Sequence, residues 1–341
     1  MQATYIGILT KGTTSRMRAD VLKALTPSWE WNWVDTHKPY LQAPRWAKTL
    51  SFRLKMGPVI SQTNALVQRE LKPQQDFIWV DKAANLSVPT TKIMRECGAK
   101  LIHYTPDTAY HTNRSKSFDQ SLQYYDWAIS TKTFEAEDYA KWLPAERLIF
   151  TTQAYDPHFH YPRVSLEEKR LEAAFIGLCE PDREQCAEAL LNAGVPLRLA
   201  GVNWGNFCER HAGNPNLHFV GVEIYGDDYA KLISQASVGL GLVSKRFPEL
   251  HTTRTFEIPA CGTILATESN SETRSFFTDD EALFYNDYTD LAAKVAQLLQ
   301  RPEQLKAMTR AGEARVKLDK RDYHSILTSL LEQTGALPDR A

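Results

Sequence analysis

Two glutamates eight residues apart, Glu249 and Glu257, bracket a run of hydroxyls and one arginine, Thr252-Thr253-Arg254-Thr255. These residue types suit a phosphorylated sugar carrier. A hydroxyl of Thr252 or Thr253 is expected to cap a short helix, which places Arg254 in its first turn. Gly262 then ends it before the apolar Ile264-Leu265-Ala266. Such a helix start gathers exposed backbone N–H groups and a positive dipole end, a seat for phosphate. A carboxylate one turn further in, Glu257, suits the paired hydroxyls of a ribose. The segment reads as the donor site of an enzyme handling a nucleotide-activated sugar, with Thr253, Arg254 and Glu257 as its binding residues.

Other cations and small residues stand at strand ends. Lys245 and Arg246 directly follow the apolar run 238–243, where they could neutralise a leaving diphosphate or simply form a loop charge pair. Gly177 and Arg183 lie in FIGLCEPDR. A glycine there lets a ligand approach the backbone, and an arginine in the first helical turn reaches a phosphate. The segment HYTPDTAYH brings His103, Asp107 and His111 into one loop after a strand. Asp107 reads equally as a ligand contact and as a helix N-cap, and His103 as a core histidine ending a buried strand. The loop TKGTTSR offers Gly12 and three following hydroxyls to an acceptor. No G-x-G-x-x-G follows a strand, which argues against a dinucleotide dehydrogenase.

The elements that must hold these residues alternate. Short aliphatic and aromatic runs at 5–9, 29–34, 76–80, 100–104, 127–130 and 147–150 read as strands, with helical patterns such as 59–71 and 87–97 between them. Residues 151–170, with two prolines and many polar groups, interrupt the series. A second series starts at 171–178 and continues through 197–200, 217–220, 238–243, 263–266 and 282–285. Pro181 suits a first helical position and Gly194 the residue just past a helix end. Helix 290–300 carries Leu291, Val295, Leu298 and Leu299 as a packing stripe. Two alternating α/β series predict two facing doubly wound, Rossmann-like domains with a cleft between them, 1–155 and 165–318. In such sheets ligands bind at the carboxyl ends of the strands.

Bulk properties remove several classes. A formal charge of −1 offers no basic footprint for nucleic acid. No stretch approaches 18 apolar residues, so no transmembrane helix is expected, and the N-terminus reads as a first strand rather than a signal peptide. The five cysteines form no C-x-x-C, as expected of a reduced cytoplasmic protein. Residues 37–58 hold five Lys/Arg and no acid, interleaved with Trp46, Leu50, Phe52 and Leu54. That pattern fits peripheral contact of 38–55 with the inner face of an anionic membrane, or with a lipid-linked acceptor, and equally a solvated surface.

RTFEIPACG and EALFYNDYTDLAAKVAQLLQRPEQLKAMTRAGEARV resemble glycosyltransferases of the B-type fold, in the group-1-like family and its CgeB-like spore-maturation branch. The likeness covers most of 170–325 and, more thinly, the N-terminal half. It implies an acceptor-side first domain, a donor-binding second domain and a C-terminal helix, about 318–341, packing back on the first. The implied activity is hexosyl transfer from a nucleotide-diphosphate sugar to a hydroxyl of a glycan, lipid-linked or small-molecule acceptor, with retention and without a required cofactor or metal. It also implies catalytic roles for Glu249, near the donor sugar, and Asp107, matching the branch's Y-x-P-D, and donor contacts from Gly177, Arg183 and Glu257. A nucleotide-sugar epimerase of the same fold, kept open by the histidines of 103–111, and a non-catalytic nucleotide-sugar binder are the alternatives.

Overall fold

The computed structural model describes residues 1–111 and 113–337, which divide into two units: residues 1–152 with the chain from Tyr323 onward, and residues 153–322. Among the described residues, the first unit has six parallel strands. They are β1 (Gln2–Gly7), β2 (Glu30–Asp35), β3 (Phe77–Asp81), β4 (Lys100–Thr105), β5 (Trp127–Ser130) and β6 (Leu148–Phe150), ordered β2-β1-β3-β4-β5-β6. Helices α1 (Thr14–Leu25), α2 (Lys38–Gln42), α3 (Arg45–Leu54), α4 (Pro58–Glu70), α5 (Val88–Glu96), α6 (Lys116–Ser121) and α7 (Ala136–Tyr139) connect them. All five residues of β3 are buried, the four apolar ones Phe77–Val80 in unbroken succession because both faces of the sheet are covered. The order of strands reverses where β1 lies beside β3, so the connections leaving these two strands diverge and open a crevice.

A buried ion pair ties this unit together. Arg18 of α1 donates from Nε and Nη2 to the Asp81 carboxylate at 2.7 and 3.0 Å, and the Tyr5 hydroxyl donates to the same group at 2.8 Å. Both charged side chains are fully buried. Arg18 Nη1 also donates to the Tyr323 hydroxyl at 3.2 Å, which fastens the C-terminal helix Tyr323–Gln333 to α1. That helix is shorter than the 318–341 expected from the resemblance, and residues 338–341 lie outside the described residues.

The second unit repeats the architecture. Strands β7 (Arg170–Ile176), β8 (Leu197–Ala200), β9 (Leu217–Gly221), β10 (Ala236–Leu240), β11 (Ile264–Glu268) and β12 (Leu283–Tyr285) are parallel, in the order β12-β11-β10-β7-β8-β9. Between and after them run α8 (Pro181–Asn192), α9 (Gly205–Arg210), α10 (Gly226–Gln235), α11 (Arg254–Ala260), α12 (Ser271–Phe276), α13 (Tyr288–Leu298) and α14 (Pro302–Leu318). Pro181 occupies the start of α8, and Gly194 follows its end at φ +72°, a conformation that favours glycine. The order reverses between β7 and β10, which sets the second crevice there. No helix among the described residues is long and apolar enough to cross a membrane.

Candidate functional site

The reversal point of the second sheet carries two arginines. Phe175, near the end of β7, presents a buried ring, and the guanidinium carbons of Arg183 (α8) and Arg254 (α11) each stand 5.5 Å from its centroid. Arg183 donates to the Leu178 carbonyl at 3.0 Å and lies 3.5 Å from Glu180. Arg254 reaches the carbonyls of Ile176 and Leu242 only at 3.4 and 3.5 Å, at the exits of β7 and β10. Among the described residues no carboxylate lies within ion-pair distance of Arg254, and the Nε atoms of both arginines are buried without a partner. Burial lowers the affinity of Arg183 for its proton, and the neighbouring Arg254 cation lowers it further. Like charges held together with donors unspent are chemically suited to an anion.

Glu249 stands beside this pair: its Oε2 accepts from the Ser244 amide at 3.1 Å, and its charge favours the protonated Arg183. Gly177 follows β7 directly, and its carbonyl accepts from Trp204 Nε1 at 2.9 Å. The helix start differs from the sequence expectation. Thr253 occupies the N-cap position of α11 but is itself helical (φ −56°, ψ −38°) and makes no side-chain cap. Instead Thr255 Oγ1 accepts from the Thr252 amide at 3.2 Å, and the Thr252 hydroxyl is buried without a partner. The short sequence allows only two turns, with Pro259 inside, so the helix dipole is weak beside the charge of the two arginines.

Glu257 lies inward, almost wholly buried, with His160 Nε2 3.7 Å from its Oε1. The His160 Nδ1 accepts from the Asp156 amide at 3.0 Å, so its proton sits on Nε2 and points a donor at the carboxylate. Lys245 is exposed and bound to Glu268 at 2.5 and 2.6 Å, so its charge is already answered by the end of β11. Arg246 pairs with Glu180 at 3.1 Å. His251 accepts from the Gln153 amide at 3.0 Å through Nε2 and meets Glu272 at 2.5 Å through Nδ1, anchoring the loop before α11. Sequence reasoning did not find His160 or His251, since the carboxylates they face, Glu257 and Glu272, are distant in the chain.

The crevice of the first sheet is a cavity of about 280 Å³. Ile8 lines it after β1, Asp81 and Lys82 at and after the end of β3, and Thr105 and Asp107 at and after the end of β4, with Tyr40, Phe52 and Lys55 along the wall made by α2 and α3. Asp107 caps no helix; the next one, α6, is capped by Ser115. Its carboxylate is held by Lys82 Nζ at 2.6 Å. Burial pushes the Asp107 carboxyl up, but the Lys82, Lys132 and Arg18 cations outweigh it and leave the group below the usual carboxylate range. His103 lines the same cavity, 1% exposed, both ring nitrogens buried without a partner. Desolvation, against a small opposing effect of Asp81, lowers its pKa to about 3, so the ring is neutral. Gly12 makes the turn before α1 at φ +84° and is not among the residues lining this cavity. His111 faces the buried Glu135 at 3.2 Å.

Comparison with known proteins bears on the fold and on the second unit's sequence. Residues 183–332 match the family described as glycosyl transferase-like. Among solved structures the chain is similar to HepE of Anabaena in complex with UDP and glucose, at 11% identity and a TM-score of 0.67, covering 99% of this chain and 100% of that one. It is also similar to sucrose-phosphate synthase of Thermosynechococcus elongatus, at 14% identity, a TM-score of 0.66 and coverage of 98% and 99%. Trehalose 6-phosphate synthase of Burkholderia multivorans aligns at 12% identity and a TM-score of 0.58, with 98% of each chain covered. No curated protein matches the sequence. The fold is the B-type glycosyltransferase fold, with two Rossmann-like domains. The matched segment, residues 183–332, and the fold are both similar to those of glycosyltransferases.

Proposed function

We propose that the protein transfers a hexosyl group from a nucleotide-diphosphate sugar to a hydroxyl acceptor, with retention of anomeric configuration. The observation that carries this reading is the uncompensated Arg254 guanidinium beside Arg183 at the β7/β10 reversal point, with both Nε donors unspent. Two guanidiniums match the charge and donor geometry of a diphosphate, and their effect grows as the leaving group gains charge. HepE, of similar fold, holds UDP-glucose in one of its structures, which supports a nucleoside diphosphate as the donor's leaving group. In this assignment the second unit binds the donor. Arg183 and Arg254 grip the diphosphate at the start of α11 beside Thr253, Gly177 admits it close to the backbone, and Glu257 takes the ribose. Glu249 approaches the sugar. Lys245, released from Glu268, adds charge to the leaving group.

The first unit takes the acceptor, with Asp107 as its polar contact and Gly12 shaping the turn on the acceptor side. A cytoplasmic protein whose segment 38–55 touches the membrane periphery is consistent with this reading. The test is a thermal-shift screen of the purified chain against nucleoside diphosphates and their sugars, repeated with Glu257→Ala. A ligand at a hundred times its Kd adds about 2.7 kcal/mol of stability, readily seen as a shift. The shift should shrink markedly in the variant, and a shift of wild-type size there rejects the ribose role.

A further inference from the structure

Between Asp35 and Glu70 the chain has no acidic residue, yet Lys38, Arg45, Lys48, Arg53, Lys55 and Arg69 all fall there. On α3 the buried residues are Ala47 and Ser51. Around the outward side stand Arg45, Trp46, Thr49, Phe52 and Arg53, with Trp46 63% and Phe52 72% exposed. Leu54 and Met56 continue the apolar surface at 60% and 56%. Single exposed apolar residues are ordinary, but four large ones on one helix and the residues just after it ask what covers them. A second copy of the same face would bring cation against cation. An anionic bilayer answers both the charge and the apolar surface, and aromatic residues beside arginines suit its interface.

The same helix forms a wall of the first unit's cavity. Phe52 is at once part of the exposed face and of the cavity lining, together with Ser51 and Lys55. Lys55 lies over the Phe52 ring at 5.2 Å and forms no ion pair among the described residues. We propose that residues 38–56 rest on an anionic membrane surface, and that the adjoining cavity takes the hydroxyl-bearing headgroup of an anionic lipid as the sugar acceptor. The second half rests on the transferase reading. In the transfer, the headgroup oxygen bonds to the anomeric carbon while the carbon–oxygen bond to the diphosphate breaks. Its electron pair leaves on the diphosphate, which also takes the hydroxyl proton. Lys55, at the wall, faces the lipid phosphate.

The full chain is floated with vesicles of phosphatidylglycerol and phosphatidylcholine, or of phosphatidylcholine alone, at low and high salt. Flotation is expected with the anionic vesicles only and should fade as salt screens the contact. Arg45→Glu/Arg53→Glu, whose side chains are exposed, and Phe52→Ser/Leu54→Ser should each lower partitioning at least about tenfold. Their nucleotide-induced thermal shifts should stay at wild-type size, which shows that the variants fold. A wild-type protein that ignores anionic vesicles, or variants that bind as wild type does, overturn the membrane face. For the acceptor, the nucleotide sugar giving the largest thermal shift is supplied labelled, with vesicles of total anionic lipid and a water-soluble glycoside. Label in the lipid phase supports the assignment, and label only in the glycoside overturns it. Absence of any nucleotide shift rejects the transferase reading and the acceptor with it, while flotation still judges the face.

Discussion

Replacing Arg254 by glutamine separates ligand affinity from stability in a way that a purely structural arginine would not. Its present partners are weak: two carbonyls at 3.4 and 3.5 Å, a buried Nε with none, and no carboxylate within ion-pair distance among the described residues. Arg183 and Arg254 each lie 5.5 Å from the Phe175 centroid, so their guanidinium carbons are at most about 11 Å apart. At an effective dielectric near 20, two like charges at about 11 Å repel by ~1.5 kcal/mol, which Glu180 and Glu249 partly offset. Losing the repulsion therefore compensates for losing two long hydrogen bonds, and the unliganded variant should melt within a few degrees of wild type. A charge-assisted hydrogen bond to phosphate contributes about 1.5–3 kcal/mol. Nucleoside diphosphate affinity should then fall roughly ten- to hundredfold. Calorimetric titration at low and high salt measures the affinity, and a melting scan of the unliganded protein measures the stability. An unchanged Kd, above all with a large drop in melting temperature, would refute the argument and make Arg254 a structural residue.

Two further outcomes follow from buried charges in the first unit. His103 has a folded pKa of about 3 against an ordinary 6.5, so the unfolded chain binds the proton first as pH falls. Its neutral burial contributes stability that is complete above pH 6.5 and is lost toward pH 3, about 3 kcal/mol of it by pH 4. His103→Phe, beside Phe118 and Tyr125, should flatten that part of the pH profile in urea titrations; an unaltered slope counts against it. Arg18→Met strands the fully buried Asp81 and should cost about 3–5 kcal/mol, with faster amide exchange in 323–333. Adding Asp81→Leu should recover much of the loss, and a double variant no better than the single one would contradict this account.

Much of the architecture is legible in the chain, because strand and helix patterns are local. The runs at 76–80 and 100–104 are short and mostly aliphatic or aromatic, as buried parallel strands tend to be, and they correspond to β3 and β4. Pro181 and Gly194 mark the ends of α8 by backbone conformation alone. Arg254 was placed in a first helical turn by the same local reading. Side-chain roles were less legible. The hydroxyl run before Arg254 suggested a cap that Thr253 does not make, since a residue already in helical conformation cannot turn its hydroxyl back to the following amides. Asp107 reads as a possible cap and instead meets Lys82 from the loop after the neighbouring strand β3.

What the sequence determined by itself is the alternation of elements, hence two doubly wound sheets and the strand ends at which ligands belong. What tertiary structure alone decided is which charges are answered and which are left open. Lys245 is paired with Glu268, 23 residues away; Arg18 with Asp81, 63 away; Arg254, among the described residues, with no carboxylate at all. The pairing of side chains distant along the chain depends on sheet order, which local propensity does not encode. The unanswered cation at the reversal point became visible only once β7 and β10 lay side by side.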